Sequence, residues 1–152
     1  MSAVRDTHKQ LAAETWGSVL QVQAALVPAF DRALREATGL PLTWYDVLLE
    51  LSASESHRLT MGQLGERVVL SRSRVSRLVD DMAKAGLVCR ESHPEDARSS
   101  YAVLTDAGLA RFREAAPVYV GAIDERLAGL SVGELKNTLR VMRSILDDVT
   151  RG

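Results

Sequence analysis

Between Thr60 and Gly86 the chain carries two helix starts and one helix stop, packed so closely that few folds accommodate them. Thr60-Met-Gly-Gln63 matches a reciprocal capping box, in which the Thr60 hydroxyl takes the amide three residues on and the Gln63 side chain reaches back. The pattern predicts a short helix from Met61 to about Val68, with Leu64 and Val68 turned inward. Ser71 is the next N-cap candidate, and behind it Val75, Leu78, Val79 and Met82 recur at helical spacing. A second helix is therefore expected to about Ala85, stopped by Gly86 in the left-handed conformation. Only a tight turn fits between the two.

After Gly86 the texture changes. Leu-Val-Cys-Arg-Glu-Ser and Ser-Ser-Tyr-Ala-Val-Leu flank His93-Pro-Glu-Asp-Ala-Arg98, and two β-rich runs around a Pro- and Asp-containing loop read as a hairpin. Upstream, Leu11, Val19, Leu20, Leu26, Val27, Phe30 and Leu34 predict a helix over residues 9–38 that ends at Gly39. Pro28 lacks the helical N–H, so a kink or a break is expected there. Thr43 is expected to cap a following helix, with Asp46 favouring its positive end and Val47, Leu48 and Leu51 inside, before a polar stretch at residues 52–57. Downstream, Thr105 caps a long helix with Leu109, Phe112, Val120, Ile123 and Leu127 inward and Pro117 as a second kink point. Ser131-Val-Gly-Glu134 is a further capping box, and Leu135, Leu139, Met142, Leu146 and Val149 then alternate four and three apart, the spacing of a heptad seam.

Two helices about a tight turn, then a hairpin, is the order of a winged helix-turn-helix. The expected fold is mainly α (α+β), a single domain over residues 1–152: a winged helix-turn-helix lobe at residues 43–104, and a helical lobe built from residues 9–38 and 105–150. Of 152 residues 46% are hydrophobic, enough for a buried core. No apolar run has the length of a bilayer span and the N-terminus lacks a signal-peptide pattern, so a cytoplasmic protein with no membrane association is expected.

A net charge of −1 argues at first against a partner rich in phosphate, but the distribution reverses the argument. Residues 57–101 carry +2 and the remainder −3, and Arg67, Arg72, Arg74 and Arg77 fall in one stretch without an acid. With Val75, Leu78, Val79 and Met82 facing the core, the outer face presents Arg72, Ser73, Ser76, Arg77 and Asp80. Arginine there matches the bidentate acceptor pair of guanine, and serine matches bases or phosphates. Asp80 and Asp81 are expected to face away or to pair with Arg77 and Lys84. Residues 93–98 read either as a surface turn or as a wing placing Arg98 in a narrow minor groove.

The run from Leu70 through Ser-Arg-Ser-Arg-Val-Ser-Arg-Leu-Val-Asp-Asp-Met-Ala-Lys-Ala-Gly-Leu to Val88 comes first, followed by Asp96-Ala-Arg98, Leu104-Thr-Asp-Ala-Gly108 and Leu130-Ser-Val-Gly-Glu-Leu135. In order and spacing, over nearly the whole chain, they resemble the MarR (multiple antibiotic resistance regulator) family. The resemblance implies a homodimeric transcription regulator, with residues 9–38 and 105–150 as its helical dimerisation lobe, usually a repressor, on a near-palindromic operator in double-stranded DNA. The implied DNA-binding residues are Ser71, Arg72, Ser73, Arg74, Ser76 and Arg77 on the recognition helix and Arg98 in the wing, with Asp96 orienting Arg98. It further implies a small aromatic or phenolic effector held between the lobes, for which Trp16, Trp44 and Tyr119 are the candidates; plain core is the competing reading of these aromatics. Pro28 and the short acidic stretch before Arg98 depart from the family's common pattern.

Other classes fit less well. His8, His57 and His93 are scattered, and none stands at metal-ligand spacing from Cys89, the one cysteine. No nucleophile-elbow, phosphate-loop or HExxH pattern occurs, so neither an enzyme nor a cofactor or metal site is expected. Cys89 in a strand is expected to be an inert, partly buried thiol rather than a redox sensor. A winged helix used as a protein-interaction module without DNA stays as the alternative, against which the arginines weigh, because interface cores are depleted in charge.

Overall fold

The computed structural model describes residues 2–68, 70–96 and 98–151. It divides into two compact units, one ending at Tyr119 and one starting at Val120. The first holds α1 (Ser2–Thr38), α2 (Leu42–Ala53), a 3-10 turn (Glu55–His57), β1 (Arg58–Thr60), α3 (Met61–Arg67), α4 (Arg72–Lys84), β2 (Val88–Ser92), β3 (Ser100–Leu104) and the start of α5 (Asp106–Leu127). The second holds the end of α5 and α6 (Val132–Arg151).

The helix starts follow the caps closely. Thr60 Oγ1 accepts from the Gln63 amide at 3.2 Å while Gln63 Oε1 accepts from the Thr60 amide at 3.0 Å, closing both halves of the capping box on α3. Ser71 occupies the N-cap of α4, although its hydroxyl faces Ser73 Oγ at 3.3 Å rather than a helix amide. Gly86 stops α4 at φ 77°. Thr105 Oγ1 accepts from the Gly108 amide at 3.0 Å and donates to the Gly86 carbonyl at 2.7 Å, which ties the start of α5 to the end of α4. Ser131 and Glu134 form the last capping box, with Ser131 N donating to Glu134 Oε2 at 2.8 Å and Glu134 N to Ser131 Oγ at 3.3 Å.

One core unites α2, α3, α4 and the sheet. Val47, Leu48 and Leu51 of α2, Leu64 of α3, and Val75, Val79 and Met82 of α4 are fully buried, and Leu59, Val88 and Ala102 close the core from the sheet. The sheet order is β1-β3-β2, antiparallel throughout, with Leu59 opposite Ala102 and Arg90 opposite Ala102 on the other side. Leu78 and Val68 are half-buried rather than internal.

Several expectations change. α1 begins at Ser2, well before residue 9, and of the two outcomes expected at Pro28 the break does not occur, since one helix runs through it; α5 also runs through Pro117 as one helix. α2 starts at Leu42 with Pro41 in the cap position, so Thr43 is an exposed second residue and not the cap. The open Leu42 amide is instead taken by Asp31 Oδ1 of α1 at 2.8 Å. Burial alone would raise the Asp31 pKa, but this bond and the Arg35 guanidinium, 2.7 Å from Oδ2, together hold the carboxyl below its ordinary range. β1 was not anticipated, and it is reached through Ser56 and His57, both at positive φ.

The shifted start of α2 moves Asp46 beyond the first turn and makes it half-buried. Burial, and next the charge of Glu50, push its carboxyl pKa up. A raised folded-state value means that ionised Asp46 costs stability at all pH above it, and that the cost fades as pH falls toward the ordinary carboxylate range. Asp46→Asn should therefore melt higher than the parent near neutral pH, with the gain shrinking on acidification. A variant that melts lower at neutral pH would show that the carboxylate is favourably held.

Candidate nucleic-acid interface

α4 buries one stripe and presents the other. Ser71, Ser73, Arg74 and Arg77 are exposed and Ser76 is half-buried, all on or beside the face opposite Val75, Val79 and Met82. The side chain of Arg72 lies outside the described residues, as does Ala97. Arg74 and Arg77 make no ion pair among the described residues, so their charges are open to an external acceptor. Asp81 pairs with Lys84 at 3.8 Å as the spacing suggests, but Asp80 does not turn to Arg77 or Lys84: it meets Arg90 of β2 at 2.9 Å.

The β2–β3 loop folds back on itself. His93 N donates to the Ser99 carbonyl at 3.2 Å, and Ser99 N to the Asp96 carbonyl at 3.0 Å. Asp96 Oδ1 accepts from the backbone amide of Arg98 at 2.9 Å, which sets the chain direction at Arg98 and leaves its exposed side chain free of ion pairs among the described residues. At the root of the loop the His93 ring stacks on Tyr101 with centroids 5.0 Å apart, and Arg58 stands 4.8 Å from the Tyr101 centroid. Between Ser76 of α4, Met61 and Gly62 at the start of α3, and Arg98 and Ser99 of the loop runs a groove of about 520 Å³. An exposed arginine face, a polar groove and a projecting arginine loop are a surface shaped for a polyanion with grooves of its own.

Arg90 is the residue of this surface that sequence reasoning passed over, having counted it only as a charge. Its only sequence signal is parity: Arg90 shares a face of β2 with the buried Val88, and on that side it reaches α4 while staying exposed.

The three aromatic effector candidates sit in different settings. Trp16 is 62% exposed on α1. Trp44 lines a groove of about 520 Å³ with Leu40, Leu87, Ala110 and Arg111. Tyr119 packs edge-on against Tyr45, with ring centroids 4.8 Å apart, and against Phe30 at 5.7 Å. Burial pushes the Tyr45 and Tyr119 phenols up, and nearby Asp46 adds to both shifts. Cys89 is exposed, not partly buried as its strand position suggested, because it lies on the face of β2 opposite to Val88 and Arg90. No helix among the described residues is long and apolar enough to cross a membrane.

These elements define a winged helix-turn-helix protein. Residues 38–99 match the family model described as MarR family. Sco3205, a MarR family transcriptional regulator from Streptomyces coelicolor solved in complex with DNA, superposes with a TM-score of 0.80 at 31% identity over 90% of this chain and 86% of that one. AbsC, a MarR family transcriptional regulator from the same organism, gives 0.80 at 29% identity over 91% and 93%. The transcriptional repressor MprA of Escherichia coli is 24% identical over 127 residues, 84% of this chain and 72% of the repressor. The chain belongs to the MarR family of transcriptional regulators.

Proposed function

We propose that the protein is a cytoplasmic, sequence-specific DNA-binding regulator, acting as a repressor on a near-palindromic operator. The observation that carries this reading is the exposed face of α4, whose Arg74 and Arg77 have no carboxylate partner among the described residues, while Ser76 of the same helix borders a groove that reaches Arg98. In this reading α4 lies in the major groove, where Ser71, Arg72, Ser73, Arg74, Ser76 and Arg77 meet base edges and the neighbouring phosphates. Asp96 presents Arg98 to the minor groove or to a phosphate. That Sco3205 and MosR of Mycobacterium tuberculosis are both solved in complex with DNA supports it.

The operator-bound form is a homodimer whose helical lobe is residues 9–38 and 105–150. Support comes from apolar side chains that a single chain leaves in water: Leu11, Trp16, Leu20 and Val22 on α1, and Leu135, Leu139, Leu146 and Val149 on α6. Two-fold symmetry then sets the half-sites about one helical turn apart. A small aromatic or phenolic effector, held in the groove that Trp44 lines and apart from Trp16 and Tyr119, releases the operator by changing that spacing.

Fluorescence anisotropy with point variants tests the residue roles. Arg77→Ala should lose roughly 1–3 kcal/mol and relax discrimination at the base pair it reads, whereas Arg98→Ala should weaken all sequences by a similar factor and lower the salt slope by about one. Equal loss on every sequence for Arg77→Ala would contradict base reading by α4.

A further inference from the structure

Arg90 lies on the inward face of the sheet and its guanidinium joins three elements. Nη2 stands 2.9 Å from Asp80 Oδ1 and donates to Ser76 O at 3.1 Å and Ser76 Oγ at 3.0 Å, while Nη1 donates to Ser100 Oγ at 3.4 Å. Ser76 and Asp80 are one turn apart on α4, Arg90 belongs to β2, and Ser100 opens β3 just after the loop. A single side chain thus fastens the middle of α4 to both strands at the root of the wing. A planar guanidinium holds an angle as well as a distance, which a lysine ammonium does not. Ser76, Arg90 and Arg98 border the same groove, so any rotation of the hairpin against α4 moves Arg98 relative to Arg77.

We propose that Arg90, braced by Asp80, is the positioning residue that sets the angle between α4 and the wing, so that Arg77 and Arg98 engage the duplex as one rigid unit. This inference rests on the regulator reading above. It differs from a simple phosphate contact by Arg90 through the behaviour of Asp80. A carboxylate beside the DNA-facing surface repels phosphate, so on charge alone Asp80→Asn would bind DNA more tightly. As the far end of a brace, its loss lets the wing swing and weakens binding. The side chains of the pair remain 33% and 52% exposed, so breaking it changes global stability little.

The probe is a labelled duplex that the parent chain itself selects from a random-sequence pool. Anisotropy across a salt series is measured for the parent, Asp80→Asn, Arg90→Met and the double variant, with a melting curve for each. All four should melt together. Asp80→Asn and Arg90→Met should each bind about tenfold more weakly, and the double variant no more weakly than Arg90→Met alone, because the two act through one contact. Asp80→Asn should keep the parent's salt slope. If Asp80→Asn binds as tightly as the parent or tighter, the positioning role is overturned while the regulator reading stands. A parent that selects no duplex overturns the regulator reading, and the brace falls with it. Should Arg90→Met melt early, the sign of the Asp80→Asn effect decides alone.

Discussion

Gly108→Ala is expected to destabilise the protein by about 3 kcal/mol or more, a large part of the roughly 5–15 kcal/mol that holds a domain of this size. A Cβ at residue 108 would overlap the Leu87 carbonyl oxygen and approach Leu104 Cδ1 to 2.8 Å. The obstacle is backbone, and α5 cannot back away from it. Thr105 N donates to the Leu87 carbonyl at 3.2 Å, Thr105 Oγ1 donates to the Gly86 carbonyl at 2.7 Å, and the Gly108 amide donates to that same hydroxyl. Relieving the overlap means giving up the cap of α5 and its attachment to the end of α4. Gly121→Ala is the matched control, since a Cβ there meets nothing within 4 Å and alanine is the better helix former by about 1 kcal/mol. Denaturant melts that showed Gly108→Ala as mild as Gly121→Ala would mean that this junction is looser than its hydrogen bonds indicate.

The second large effect is expected on assembly. Leu139 and Leu146 lie in the apolar repeat of α6 and are 50% and 63% exposed in the single chain. If that repeat is the dimer seam, each leucine removed from water contributes about 1.5–3 kcal/mol, and a glutamate in its place adds the cost of burying a charge. Leu139→Glu combined with Leu146→Glu should shift the protein from dimer to monomer in sedimentation at micromolar concentration. It should also weaken operator binding by about a hundredfold or more, since two linked half-sites become two separate ones. A parent that sediments as a monomer, or a double variant that stays dimeric, would place the seam elsewhere.

Capping residues made much of the fold legible. Thr60, Thr105 and Ser131 each occupy the position their sequence motif predicts, and Gly86 takes the left-handed stop, because these signals are local: a side chain and an amide three residues apart decide them. Tertiary partners decided the rest. Nothing near Pro41 announces that Asp31, eleven residues before Leu42, will take the first open amide of α2, so Thr43 looked like the cap. β1 is three residues long, too short to show alternation, and becomes a strand only by pairing with β3. Pro28 deletes one hydrogen bond from a helix of 37 residues, and neighbouring turns carry the chain across it. At the candidate interface, the exposed arginines and serines of α4 were legible from the apolar stripe opposite them. The Asp80–Arg90 contact was not, because it joins a helix face to a strand ten residues away and needs the parity of β2 to be known first.

The most direct test of the central claim is a salt titration of binding between the parent protein and the intergenic duplex beside its own gene. The account predicts tight binding at low salt, with log affinity falling linearly as log salt rises and a slope set by the phosphates neutralised, together with weaker binding to a random-sequence duplex at every salt concentration. No binding at low salt to either duplex would contradict it, and would turn the arginine face of α4 toward a protein partner instead.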